Sequence, residues 1–302
     1  MVWGKQDWVR WRGVFHGRVK REVHVEWIMN PDAANTVPDY SAPPNLKPTH
    51  LLSSEQIAFY HEHGYLAIDA LMPSDEVGEV RKIYDRLFNE DRSKAEADFY
   101  DLSRAKKDGE KVSIPQIIQP GKYAPALLET QMVANLKAMM KQLHGDETSM
   151  VGDHAINKPP HNAAPTPWHQ DEAYWDPAVE YSSLSVWIPL QPATKENGCM
   201  CFVPGSHQIE MVPHRPIGDD PTTPGLEVEP GAFDFSSAVA CEIPAGGATF
   251  HHGRTLHYTP ANNSDDYRRA YIAMGSAYEK PRATPREFPW KERQLAAKAA
   301  AS

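Results

Sequence analysis

Trp168-His169-Gln170-Asp171, read with His251-His252-Gly253 and the run from His257 to Arg268-Arg269, decides how this chain is built. On a strand, residues two apart share a face, so His169 and Asp171 reach toward the same side. His257 arrives 86 residues after Asp171, a separation that suits a ligand from a late strand of the same barrel. Two imidazoles and one carboxylate occupy one face of an Fe(II) ion and leave three positions open. Arg268, eleven residues past His257, offers a planar donor fork that matches a carboxylate. A His-x-Asp pair alone is a weak signal; the third histidine and the arginine at these spacings give it weight. Among fourteen histidines, His257 is singled out by its distance to Arg268. His251 and His252 read as the end of a strand, exposed or hydrogen-bonded to backbone, and His207 as part of a Pro-Gly-Ser-His turn. Arg269 falls on the opposite strand face from Arg268.

Outward from this stretch, the texture from residue 149 onward is short strands punctuated by Pro and Gly. The expected strands are 149–157, 166–171, 183–190, 199–203, 238–243, 248–251, 255–258 and 269–276, a pattern that fits a sandwich or jelly roll rather than a parallel sheet. Ahead of it, Ser53 and Gln56 have capping-box spacing and Gly64 closes a helix, followed by a short strand over 65–69. Val77, Val80, Tyr84 and Leu87 share one face of a second helix starting after Ser74. Leu127, Leu128, Met132, Leu136, Met139 and Leu143 mark a third, stopped by Gly145. The expectation is a mainly β protein with α elements, a double-stranded β-helix (jelly roll, cupin-like) core under an N-terminal helical layer. Residues 1–49 are an extension or arm, 50–280 the catalytic domain, and 281–302 a tail ending in an Ala/Lys-rich frayed helix. Residues 31–49 read as an extended wrap, 89–111 as a solvated charged connection, and 213–231 as a long Pro/Gly loop able to lid a pocket.

The 302 residues carry a net charge of −9 and a hydrophobic fraction of 41%, enough for a sizeable core. No apolar run reaches membrane-spanning length, and no apolar signal region opens the chain. Residues 1–21 hold six Lys/Arg against one acidic residue, so the remainder carries −14. An acidic body argues against nucleic acid as a partner. The basic, Trp-rich start reads either as a partly ordered extension or as an arm packing on the body or on a second subunit of a homodimer. Three cysteines, Cys199, Cys201 and Cys241, form no metal-ligand pattern and are odd in number. A reduced, cytoplasmic compartment is expected.

Several segments in order resemble the phytanoyl-CoA dioxygenase family of Fe(II)/2-oxoglutarate enzymes. They are Ile156-Asn157-Lys158-Pro159-Pro160, Trp168-His169-Gln170-Asp171, Val186-Trp187-Ile188-Pro189-Leu190, Asn197-Gly198-Cys199, Val203-Pro204-Gly205-Ser206-His207, and Phe250-His251 through His257 to Tyr267-Arg268-Arg269-Ala270. The resemblance covers residues 50–280. It implies His169, Asp171 and His257 as iron ligands, with Arg268 anchoring the distal carboxylate of 2-oxoglutarate. It further places the Thr259 hydroxyl on the same carboxylate, Trp187 in the cosubstrate pocket wall, and Asn157 at a cosubstrate contact. One departure stands out. Some members carry a basic residue near 113–116, where this chain has Ile114-Pro115-Gln116, leaving Gln116 as a neutral donor. The family's chemistry uses O2 and releases succinate and CO2. Related halogenases replace the carboxylate ligand by Ala or Gly, so Asp171 disfavours halogenation.

Substrate is less legible. Tyr174 and Trp175 read as a substrate wall or as plain core, and His154 as a pocket residue or a satisfied core histidine. Acyl-CoA would require a basic groove, and the nearest basic run, Arg104-Ala105-Lys106-Lys107, falls in the charged connection. A small organic or natural-product substrate, hydroxylated at an unactivated C–H, is the expectation. The alternatives are an acyl-CoA 2-hydroxylase and a catalytically silent jelly-roll partner protein.

Overall fold

Ser53 starts the first helix as the spacing predicts. Its side chain accepts from the Gln56 N–H while the Gln56 side chain accepts from the Ser53 N–H. Helix α1 (Ser54–His63) ends at Gly64, whose φ of 77° is left-handed. A Cβ there would lie 2.3 Å from the His207 ring, so only glycine closes the helix at this point. The structure, a computed structural model, describes residues 10–11, 23–24, 37–89, 98–102, 114–162 and 164–301. Within the first 36 residues only Arg10–Trp11 and Val23–His24 are described, as a pair of antiparallel strands. The rest of the arm, most of the charged connection with Arg104–Lys107, and any role of the arm in a dimer lie outside the described residues.

After α1 come β1 (Tyr65–Ile68), α2 (Ser74–Asn89), β2 (Phe99–Asp101), β3 (Pro115–Ile118) and α3 (Gln131–His144). Helix α3 begins later than its apolar pattern predicts. Pro125–Glu129 forms a separate 3-10 turn, and Thr130 caps the helix by accepting from the Val133 N–H. The core strands follow: β4 (Ser149–Lys158), β5 (Thr166–His169), β6 (Val179–Pro189), β7 (Met200–Phe202), β8 (His214–Pro216), β9 (Leu226–Val228), β10 (Val239–Cys241), β11 (Ala248–His252), β12 (His257–Thr259) and β13 (Arg268–Pro281). A final helix, α4, spans Pro289–Ala301.

Two sheets face each other. The larger has the order β1-β11-β6-β13-β4-β3-β2 and the smaller β10-β7-β12-β5. Antiparallel pairing throughout lets each sheet alternate between a core face and a second face. The outer face of the larger sheet, with Leu66, Val186, Ile188, Phe250 and Tyr271, shares one buried cluster with Val80 and Tyr84 of α2 and Met132, Leu136 and Met140 of α3. Each such fully buried side chain contributes roughly 1.5–3 kcal/mol. The inner face joins the two sheets through Tyr65, Trp187 and Ala270 on one side and Met200, Phe202 and Cys241 on the other. This is the jelly-roll arrangement expected. The wrap before α1 is pinned by two buried polar groups. Tyr40 donates to Asp153, and the Asn135 side chain accepts from the Thr49 N–H at 2.7 Å while donating to the Leu71 carbonyl at 2.7 Å.

Two expectations change. The segment 213–231 is not an open loop, since β8 and β9 pair within it as an antiparallel hairpin. The tail is docked at its start, and its Ala/Lys-rich end continues as helix α4 to Ala301. Phe288 and Trp290 are buried against Ala173 and Leu226, the Trp290 indole N–H donates to the Ala173 carbonyl at 3.0 Å, and Arg286 meets Glu172 at 2.8 Å. Two aromatics outweigh the Ala/Lys-rich composition of the last turns.

Candidate active site

His169 is the last residue of β5 and His257 the first of β12, and the two are direct cross-strand partners. Their ring centroids are 4.1 Å apart. Asp171 does not lie on a strand as expected; it opens a one-turn 3-10 segment, Asp171–Tyr174. The alternation survives because Gln170 between them is extended, with φ −117° and ψ 133°. Gln170 consequently turns the other way, where its side chain donates to the Arg254 carbonyl and accepts from the Val212 N–H. Its backbone N–H donates to His214 of the hairpin.

Each ligand-candidate ring is oriented by a backbone carbonyl. His169 Nδ1 lies 2.7 Å from the Pro167 oxygen and His257 Nδ1 2.9 Å from the Thr255 oxygen. A carbonyl can only accept, so each Nδ1 carries the proton and each Nε2 presents its lone pair, the arrangement metal-binding histidines require. Asp171 Oδ1 is 3.7 Å from His169 Nε2 and 3.5 Å from His257 Nε2. Donor atoms of all three residues fall within 4.8 Å of one another, the only such cluster among the described residues. Burial lowers the pKa of both histidines, for His257 reinforced by the His169 and His251 rings. Burial opposes ionisation of Asp171, but positive charge on the surrounding His257, His251 and His169 rings, or on a cation held between them, outweighs it and keeps the carboxyl ionised. Two neutral imidazoles and one carboxylate leave a negative site that fits a divalent cation.

Farther into the barrel, Arg268 is 1% exposed and Lys158 is wholly buried. They are cross-strand partners on β13 and β4. The Arg268 guanidinium lies 5.3 Å from the Trp187 ring, and its Nε and one terminal nitrogen have no hydrogen-bond partner. Lys158 Nζ donates to Thr259 Oγ1 at 2.9 Å and to the Pro260 carbonyl at 3.2 Å. Burial pulls Arg268 down to about 10 and, with the Arg268 charge beside it, takes Lys158 well below the ordinary lysine value. Unpaired buried charge is costly, so this pocket is built for an anion with a carboxylate's geometry.

The register corrects one expected contact. Asn157 stands opposite Arg269, not Arg268, on the face turned toward the helices. Lys158, one residue along, takes the inward position. Gln116 and His154 do face inward: the Gln116 amide lies 3.1 Å from His154 Nδ1, and His154 pairs with Ile272, which in turn pairs with Trp187. Burial brings His154 down to about 4, so it is neutral there. Arg269 sits outside with Asp85 at 2.5 Å.

Tyr174 meets the His169 ring edge-on at 5.9 Å, and its hydroxyl accepts from the Leu226 N–H of the hairpin. Trp175 packs against Gly253 and Tyr181. Two residues stand at the centre that were not expected there: Ser185, which the sequence left unremarked, and His251, which is neither exposed nor hydrogen-bonded to backbone as its strand-end position suggested. His251 is 3% exposed with Nε2 3.3 Å from Asp171 Oδ2, and Ser185 donates to the same oxygen at 2.7 Å. The signal was strand alternation, which puts Ser185 in phase with Trp187.

Residues 60–270 match the family model described as Phytanoyl-CoA dioxygenase (PhyH). A probable phytanoyl-CoA dioxygenase of Caenorhabditis elegans is 30% identical over 236 residues, 73% of this chain and 74% of that protein. Among solved structures, EvdO2 from Micromonospora carbonacea var. aurantiaca is 35% identical with a TM-score of 0.71, covering 81% of this chain and 99% of that one. The same protein complexed with 2-oxoglutarate matches at 33% identity and a TM-score of 0.69, over 81% of this chain and 99% of that chain.

Proposed function

The chain belongs to the phytanoyl-CoA dioxygenase family, and from that premise we propose that it hydroxylates an unactivated C–H bond of a small organic substrate. It is an Fe(II)- and 2-oxoglutarate-dependent dioxygenase. The observation that carries the reading is the convergence of His169 Nε2, His257 Nε2 and Asp171 Oδ1 on one point. These three would hold Fe(II), and an intact set speaks against a silent partner protein. Bound there, the metal supplies O2 activation coupled to oxidative decarboxylation of 2-oxoglutarate to succinate and CO2.

The protein's own part is placement. Arg268 would grip the distal carboxylate through its unpaired nitrogens, with the Thr259 hydroxyl, held by Lys158, donating beside it. Trp187 fixes the guanidinium plane from the flank. Gln116 and His154 form a neutral polar wall, and Tyr174 at the His169 edge confines the substrate on the side open to the hairpin. A small substrate suits this better than acyl-CoA. Arg254, Arg282 and Arg286 face Glu172 and Glu210, so among the described residues these arginines offer no free charge to a diphosphate. No helix among the described residues is long and apolar enough to cross a membrane, and three free thiols suit a reduced cytoplasmic setting. Oxygen uptake by the iron-loaded protein should depend on 2-oxoglutarate and release succinate. Uptake that is indifferent to 2-oxoglutarate would remove the cosubstrate from the proposal.

A further inference from the structure

The two oxygens of Asp171 are in different surroundings. Oδ1 faces the histidine nitrogens at 3.7 and 3.5 Å. Oδ2 receives the Ser185 hydroxyl at 2.7 Å and stands 3.3 Å from His251 Nε2. Ser185 and His251 are direct cross-strand partners on β6 and β11, so the larger sheet presents them as a pair to a carboxylate from the smaller sheet's edge. Both are at least nine-tenths buried. Neither His251 ring nitrogen has a hydrogen-bond partner, and the polar atom that its Nε2 faces is Asp171 Oδ2, at 3.3 Å. Asp171 needs such help, because it lies beyond the end of β5 and has no strand pairing of its own.

We infer that Ser185 and His251 act as a paired clamp that holds Asp171 to one-oxygen coordination. The inference rests on the metal reading above. A carboxylate free to rotate binds a metal through one oxygen or two. With two histidines and one carboxylate oxygen holding the metal, three positions would stay open, enough for a two-point 2-oxoglutarate contact and O2. A second carboxylate oxygen would take that last position. Ser185 and His251 are positioning residues, since they touch the ligand and not the reacting atoms.

The test uses Mn(II) as probe, in the wild type and in Ser185→Ala, His251→Phe and His251→Gln. Water-proton relaxation counts exchangeable waters on the metal, and titration with 2-oxoglutarate gives its affinity. Ser185→Ala and His251→Phe should each lose relaxivity equivalent to about one water and bind 2-oxoglutarate about tenfold more weakly, without losing metal affinity. His251→Gln, which retains a donor, should restore most of both. Unchanged relaxivity and cosubstrate affinity in Ser185→Ala and His251→Phe would overturn the clamp. So would loss of the metal itself in those variants, which indicates plain structural support. Undiminished Mn(II) binding by His257→Ala would instead overturn the metal reading on which the clamp stands.

Discussion

Arg268 and Lys158 are direct cross-strand partners, both buried; the Arg268 Nε and one terminal nitrogen have no partner, and Lys158 donates only to neutral oxygens of Thr259 and Pro260 among the described residues. Two cations so placed repel each other in a poorly solvated pocket. Lys158 relieves this by losing its proton more readily than an exposed lysine. A carboxylate entering beside Arg268 favours the charged lysine again. Its pKa is therefore higher in the complex than in the empty pocket, and binding takes up a proton wherever the empty pocket holds the neutral amine. Affinity for 2-oxoglutarate should weaken as pH rises through that interval, and calorimetry in buffers of different ionisation enthalpy should show the uptake. Lys158→Met should abolish the buffer dependence; a wild type with none would show that the lysine keeps one charge state throughout.

Arg268→Met removes the charged fork and keeps much of the volume over Trp187. Loss of charge-assisted hydrogen bonds of this kind costs about 1.5–3 kcal/mol, roughly a tenfold to hundredfold loss of 2-oxoglutarate affinity. Iron binding should be untouched, because the guanidinium serves the cosubstrate and not the metal. Equilibrium titration of both ligands separates the two effects.

Asp171→Gly should leave the Ser185 hydroxyl and the His251 ring around vacated space, donors that suit a halide. The spectrum of the metal-loaded variant is expected to respond to chloride while that of the wild type does not. No chloride response would mean that more than the carboxylate excludes the anion.

Trp290→Ala tests the docked tail. Deleting a buried indole costs about 3–5 kcal/mol, and here it also frees the Ala173 carbonyl two residues from Asp171. Urea denaturation should show the loss, with weaker metal binding alongside. Stability within about 0.5 kcal/mol of wild type would return the tail to the status of an appendage.

Much of this was legible in the sequence, and the omissions have physical causes. Helix α1 was readable because the Ser53 cap and the Gly64 stop are local. The strands bearing His169 and His257 were readable because alternation and punctuation are local too, while the strand expected from residue 269 begins one residue earlier, at Arg268. Alternation alone separated Arg268 from Arg269, but Asn157 and Lys158 could be sorted only once the register of β4 against β13 was known. His251 looked like any strand-end histidine, since its meaning comes from Ser185 opposite and Asp171 across the barrel. The β8–β9 hairpin was hidden because its three-residue strands lie among prolines. The docking of Trp290 was masked by the alanines that follow it.

Anaerobic equilibrium binding of Fe(II) to the wild type and to His257→Ala bears most directly on the metal centre. One iron per chain in the wild type and none retained by the variant is the expected result. Equal iron in both would contradict the placement of the metal between His169, Asp171 and His257.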